Sequence, residues 1–130
     1  MPFETTVRVR YAETDAMGVV HHSRYFVWLE TARVEWLKSC GLNYKKLEQD
    51  GFFLPVVEAN LTYRSPSFFD DEIRIQLMPP QDIQRARFVL IYELFRDNTR
   101  IANGHTVHVF LNKDRKLIKP PLFFVEALRK

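Results

Sequence analysis

Between Arg24 and Cys40 the chain offers one helix whose apolar arc is almost closed. Phe26, Val27, Leu29, Ala32, Val34, Trp36 and Leu37 leave only narrow polar ground at Glu30, Arg33, Glu35 and Lys38. A helix of that composition has to be covered on most sides. It would span about 25 Å at the standard rise. Ser23 is placed to cap its start, and Gly41 to close its end in the left-handed conformation.

What covers it must be sheet, because the rest of the chain alternates. Phe3 to Tyr11 reads as a strand, with Val7, Val9 and Tyr11 on one face and Thr6, Arg8 and Arg10 on the other. Four more strands follow the helix: Phe53 to Arg64, Glu72 to Met78, Arg85 to Arg96, and Ile101 to Asn112. Pro79-Pro80 ends the third strand, and Asp97-Asn98-Thr99 suits a hairpin turn. Gly104 reads as a bulge. Short helices are expected over Tyr44 to Asp50 and Phe123 to Arg129. One helix and five strands make an α+β domain spanning 1–130, with a strongly curved antiparallel sheet wrapped around the long buried helix. Its far face would carry Val89, Ile91, Phe95 and Phe110, which is too apolar for open water and points to a homo-oligomer.

Composition narrows the function classes. A chain of 130 residues fits one domain, and 14% aromatic residues, eleven of them Phe, suit a thick apolar layer, an interface or an apolar ligand. The net charge of +3 is mild and scattered, which speaks against nucleic acid and suits a small anionic ligand. Cys40 is the single cysteine, so no intrachain disulfide forms, and its place at the helix end reads as inert packing. No apolar run reaches membrane-spanning length and no leader pattern opens the chain, so a cytoplasmic location is expected.

Chemistry concentrates in Tyr11-Ala12-Glu13-Thr14-Asp15-Ala16-Met17-Gly18-Val19-Val20-His21-His22-Ser23-Arg24-Tyr25. This segment places a carboxylate, a glycine turn and two histidines just ahead of a helix N-terminus. Free N–H groups there suit a developing oxyanion, and Asp15 suits a general base or a nucleophile. The plain alternatives are that Asp15 only caps a turn and that His21 only satisfies loop carbonyls. No metal site is expected: His21 and His22 are adjacent, and His105 and His108 fall on opposite faces of one strand. Glu13 and Asp15 share one short loop, which does not suit a glycosidase pair. Ser65 and Ser67 lack the context of a serine nucleophile. Glu58, Asn60 and Thr62 share one strand face and could reach substrate at a subunit interface, or simply be solvated. Arg64, Arg85, Arg87 and Lys113 are candidates for ligand phosphates.

The Tyr11 to Tyr25 segment resembles the 4-hydroxybenzoyl-CoA thioesterase and YbgC-type acyl-CoA thioesterase family. The run from Leu54 to Pro66, then Phe69-Asp70-Asp71-Glu72, resembles that family's second and third strands. The resemblance implies the hotdog fold, hydrolysis of acyl-CoA to a carboxylic acid and coenzyme A, and no cofactor or metal. It puts the catalytic aspartate at Asp15 and the oxyanion-contacting N–H at His22. It puts the loop glycine at Gly18 and the helix-entry aromatic at Tyr25; Val19 and His21, in the same loop, are further candidates to touch substrate. Where the YbgC-type motif often reads Tyr-His, this chain has His21-His22. Two other readings stay open: a hotdog-fold acyl-thioester hydratase or dehydratase, and a non-catalytic acyl-CoA-binding module. The acyl group and its carrier, coenzyme A or acyl carrier protein, are not fixed at this level.

Overall fold

A computed structural model describes residues 2–80, 83 and 85–129. In chain order the elements are β1 (Phe3–Arg8), a 3-10 turn (Tyr11–Glu13), α1 (Arg24–Ser39), α2 (Tyr44–Gln49), β2 (Val56–Tyr63), β3 (Glu72–Met78), β4 (Arg87–Arg96), β5 (Thr99–Val109) and α3 (Leu122–Leu128). The five strands form one sheet in the order β1-β3-β4-β5-β2, every neighbouring pair antiparallel.

The inner sheet face follows from period-2 alternation. Ile73, Ile75 and Leu77 of β3 are fully buried, as are Leu90, Tyr92 and Leu94 of β4, and they meet Leu29, Ala32 and Trp36 of α1 in one apolar cluster. Helix α1 buries Tyr25, Trp28, Leu29, Ala32, Trp36 and Leu37, a single stripe at helical spacing. The arc is narrower than its composition suggests: Val27 is 44% exposed, and Phe26 and Val34 are half-buried. One sheet can cover only one side of a helix. Cys40 caps the helix end, and Gly41 follows at φ +80° as expected. The Gly41 N–H donates to Lys38 O at 2.9 Å and the Leu42 N–H to Leu37 O at 2.8 Å, the paired closure of a Schellman motif.

Several expectations are corrected. Strand β1 stops at Arg8, and Tyr11 belongs to the 3-10 turn with 76% of its surface exposed. Ser23 precedes α1 but its hydroxyl makes no capping bond; it binds the His21 ring instead. Phe110 does not join the outer face. It shares the parity of Thr106 and His108, which pair with the inward Leu90 and Phe88, and its ring packs inward against Phe52 and Phe124 at 5.9 and 5.0 Å. Val89 and Ile91 do face outward and are exposed, while Phe95 lies beneath the Arg74 guanidinium. Gly104 is no bulge: it pairs in register with Leu61 and Tyr92. A Cβ there would sit 1.9 Å from Asn60 O, so glycine is required where β2 presses closely over β5.

A polar thread runs through the core. Arg33 donates to the Tyr92 hydroxyl at 3.3 Å, Tyr92 and Thr106 share a 2.6 Å bond, and Thr106 contacts His108 Nε2 at 2.8 Å. His108 Nδ1 lies 3.3 Å from Leu54 O. Every buried side-chain polar atom among the described residues has a partner.

Candidate active site

The loop between the 3-10 turn and α1 is built as a small closed hairpin. The Asp15 N–H donates to Val19 O, the Gly18 N–H returns to Asp15 O, and Thr14 and Val20 form an isolated bridge. Gly18 sits at φ +81° with open space around it, so its role is conformational freedom rather than close packing. The far side of the loop is tied down where the Val20 N–H donates to Ser67 O and the His21 N–H to Glu13 O, each at 2.9 Å. This frame delivers Asp15 and the start of α1 to the same cavity.

That cavity measures about 370 Å³ and is lined by Asp15, Val19, Val20, His22, Tyr25, Tyr63, Arg64, Ser65 and Pro66. Asp15 Oδ1 accepts the Met17 N–H at 2.8 Å, and Oδ2 has no partner among the described residues. At the helix tip the Arg24 N–H donates to His21 O and the Tyr25 N–H to His22 O. The His22 N–H has no partner among the described residues. A partnerless N–H at the positive end of a 16-residue helix is suited to an anionic oxygen. The floor is aromatic: Tyr25 meets Trp28 at 4.7 Å and Tyr63 at 5.0 Å between ring centroids. Burial pushes the hydroxyls of Tyr25 and Tyr63 above their ordinary value, so both stay protonated at neutral pH. Tyr25 OH bonds Ser67 Oγ at 2.7 Å, and the Tyr63 OH donates to His22 O at 2.9 Å.

Of the residues singled out from sequence, Asp15, Val19, His22 and Tyr25 converge on this cavity. Gly18 shapes the loop without lining it. His21 stacks on His22 at 4.2 Å and holds Ser23: the Ser23 hydroxyl lies 2.8 Å from Nδ1 and its N–H donates to the same atom at 3.2 Å. Glu58, Asn60 and Thr62 lie on the opposite face of β2 from Tyr63, and none lines the cavity. Glu58 there binds His105 Nε2 at 2.9 Å. Arg64 lines the cavity directly and binds Asn103 at 2.6 Å. Tyr63 is a cavity residue that sequence reading missed, as are Val20 and Pro66. The signal for Tyr63 was an aromatic at the last inward position of a strand, next to Arg64. A larger cavity of about 690 Å³ lies beside the second half of α1, bounded by Glu30, Arg33, Tyr44 and Leu54, and holds none of the predicted catalytic residues. Among the described residues no group of His, Cys, Asp and Glu side chains could hold a metal ion, and no helix is long and apolar enough to cross a membrane.

A curled antiparallel sheet around one central helix, with a loop carboxylate held at that helix's tip, defines a hotdog-fold enzyme of acyl thioesters. The chain belongs to the thioesterase-like superfamily, whose model it matches over residues 9–128. It is 32% identical to a Prochlorococcus marinus 1,4-dihydroxy-2-naphthoyl-CoA hydrolase, covering 80% of this chain and 74% of that one. A Thermus thermophilus protein described as hypothetical superposes with a TM-score of 0.91 at 37% identity, over 97% of this chain and 96% of the other. A Staphylococcus aureus DHNA-CoA thioesterase superposes with the same TM-score at 28% identity, over 98% and 89%.

Proposed function

We propose that this chain hydrolyses an acyl-CoA to a carboxylic acid and coenzyme A, with Asp15 activating the attack and the His22 N–H receiving the charge that builds on the carbonyl oxygen. The observation that carries this reading is one cavity bounded by both Asp15, with its unengaged Oδ2, and the residue bearing the partnerless N–H at the tip of α1. In the general-base route, Oδ2 takes a proton from water as the water oxygen bonds to the thioester carbon. The tetrahedral intermediate then collapses, the C–S bond breaks, and the proton passes to the departing thiolate. In the nucleophilic route Oδ2 itself bonds to the carbon, expels the thiolate, and the resulting anhydride is opened by water. A single turnover in ¹⁸O-labelled water that leaves label in Asp15 marks the nucleophilic route, with water opening the anhydride at the Asp15 carbonyl carbon.

Gly18 and Val19 shape the loop side of the site, Tyr25 its floor, and His21 orients the helix entry through Ser23. We take the working unit to be a homo-oligomer. Strand β2 is an open edge of eight residues, and Val89 and Ile91 on the outer face are uncovered. Glu58, Asn60 and Thr62 can touch substrate only across such an interface. The relatives that carry the name 1,4-dihydroxy-2-naphthoyl-CoA hydrolase make aryl-CoAs the first substrates to assay.

The test is a thiol-release screen across aliphatic acyl-CoAs of increasing length and several aryl-CoAs. Asp15→Asn should lower kcat on the best substrate by about 100- to 10,000-fold, the range of acid–base contributions, with an unchanged melting temperature. Retention of kcat within threefold overturns the assignment. Tight acyl-CoA binding without thiol release would instead favour a binding module, and loss of enoyl absorbance a hydratase.

A further inference from the structure

Glu13 is a buried carboxylate that the proposed chemistry does not use. It is 2% exposed, two residues ahead of Asp15, and its contacts reach three separate parts of the chain. Oε1 accepts the Arg10 N–H at 2.8 Å, just past the end of β1. Oε2 accepts the Trp28 indole N–H at 2.9 Å, one turn into α1, and the Arg10 guanidinium stands 3.6 Å from the same oxygen. The Glu13 carbonyl takes the His21 N–H at 2.9 Å, next to His22. Trp28 in turn packs against Tyr25, which lines the Asp15 cavity.

A carboxylate is seldom this buried without partners, because desolvating it is costly. Here each side-chain oxygen has a donor, and the donors come from the start of the 3-10 turn and from the helix after the loop. Asp15 rides on that loop and the His22 N–H stands at the start of that helix. The distance between base and oxyanion donor is therefore set by how loop and helix are joined, and Glu13 joins them through both its side chain and its backbone. We propose that Glu13 is a positioning residue, holding the Asp15 loop against α1 so that the base and the His22 N–H face one carbonyl. This rests on Asp15 and His22 acting as assigned above.

Gln is nearly the same shape as Glu but offers one acceptor oxygen and one donor nitrogen. In Glu13→Gln the amide NH₂ must confront either the Arg10 N–H or the Trp28 N–H, so one of the two ties is lost. A misplacement of about 1 Å can cost around 100-fold in rate, and this change should cost about 10- to 100-fold in kcat. KM, and the affinity for a non-hydrolysable thioether analogue of the best acyl-CoA, should stay within threefold. Trp28→Phe removes the indole tie from the helix side and should lower kcat in the same direction. In Glu13→Ala both ties are gone, so adding Trp28→Phe to it should cost no further kcat, because the helix link is already cut.

These assays are run well below each variant's melting temperature, with Asp15→Asn beside them. Should Glu13→Gln not fold, Trp28→Phe alone decides. A lowered melting temperature with kcat unchanged overturns the positioning role and leaves Glu13 as a fold support. Multiplicative losses when Trp28→Phe is added to Glu13→Ala overturn it as well. Near-normal turnover in Asp15→Asn instead sinks the base assignment, whatever the Glu13 variants do.

Discussion

His108 should make this protein acid-sensitive in a defined window. Its ring is 2% exposed, stacked on Phe88 at 5.3 Å between centroids, and engaged by Thr106 and Leu54. Burial, reinforced by the Arg33 charge and only partly opposed by the Leu54 carbonyl, lowers its pKa from 6.5 to about 4. Above pH 6.5 the ring is neutral in both the folded and unfolded chain and has no linked effect. Below that value the unfolded chain takes a proton that the folded one refuses, so stability falls until the folded pKa is reached near pH 4. The gap between 6.5 and about 4, at about 1.4 kcal/mol per pH unit, is worth about 3 kcal/mol. That is a large share of the stability of a domain this size. The matched variant is His108→Gln, whose amide can serve Thr106 and Leu54 without titrating. Urea unfolding of both proteins at steps from about pH 7.5 to pH 4 gives the difference in unfolding free energy, which cancels carboxylates common to the two. The wild type should lose about 3 kcal/mol relative to the variant, most steeply between about pH 6 and pH 4.5. A difference that stays flat within about 0.5 kcal/mol would mean that the folded ring titrates like a free one, and the reasoning would fail.

Two further perturbations follow from the geometry. Gly104→Ala places a Cβ 1.9 Å from Asn60 O, so β2 must shift bodily; the expected cost is about 3 kcal/mol, read as a lower denaturation midpoint at unchanged slope, and an unchanged midpoint contradicts the close approach. Tyr63→Phe removes the donor to His22 O and should lower kcat by about 3- to 10-fold, the worth of one net hydrogen bond, with the melting temperature nearly unchanged; kcat equal to wild type would separate β2 from the site.

Period-2 alternation made the sheet legible, and it worked best where both faces are distinct. Ile73, Ile75 and Leu77 all point inward, as their spacing requires. It failed where a strand ended sooner than the pattern did. Tyr11 continues the parity of β1 but lies past its last ladder bond, so its side chain goes elsewhere, while Phe110 shares the inward parity of Thr106 and His108, so the outer face was the wrong one for it. For β2 the spacing assigned faces correctly but could not reveal that the strand is an edge, because strand order is a property of the whole sheet. Asp15, Val19, His22 and Tyr25 were readable together because they are neighbours in sequence and the loop folds locally. Tyr63 and Glu13 were not. Tyr63 meets His22 from 41 residues away, and Glu13 finds Trp28 only once α1 has turned that indole toward the loop. Gly104 was legible as special, yet its reason lies in the approach of another strand rather than in its own.

The Asp15 side chain has one oxygen fastened to the Met17 amide. A free surface aspartate samples several rotamers and must surrender that torsional freedom each time it meets a reactant. Here folding has taken that entropic loss once. With Asp15 as the proposed base, each encounter with a thioester would begin with the same lone pair already presented.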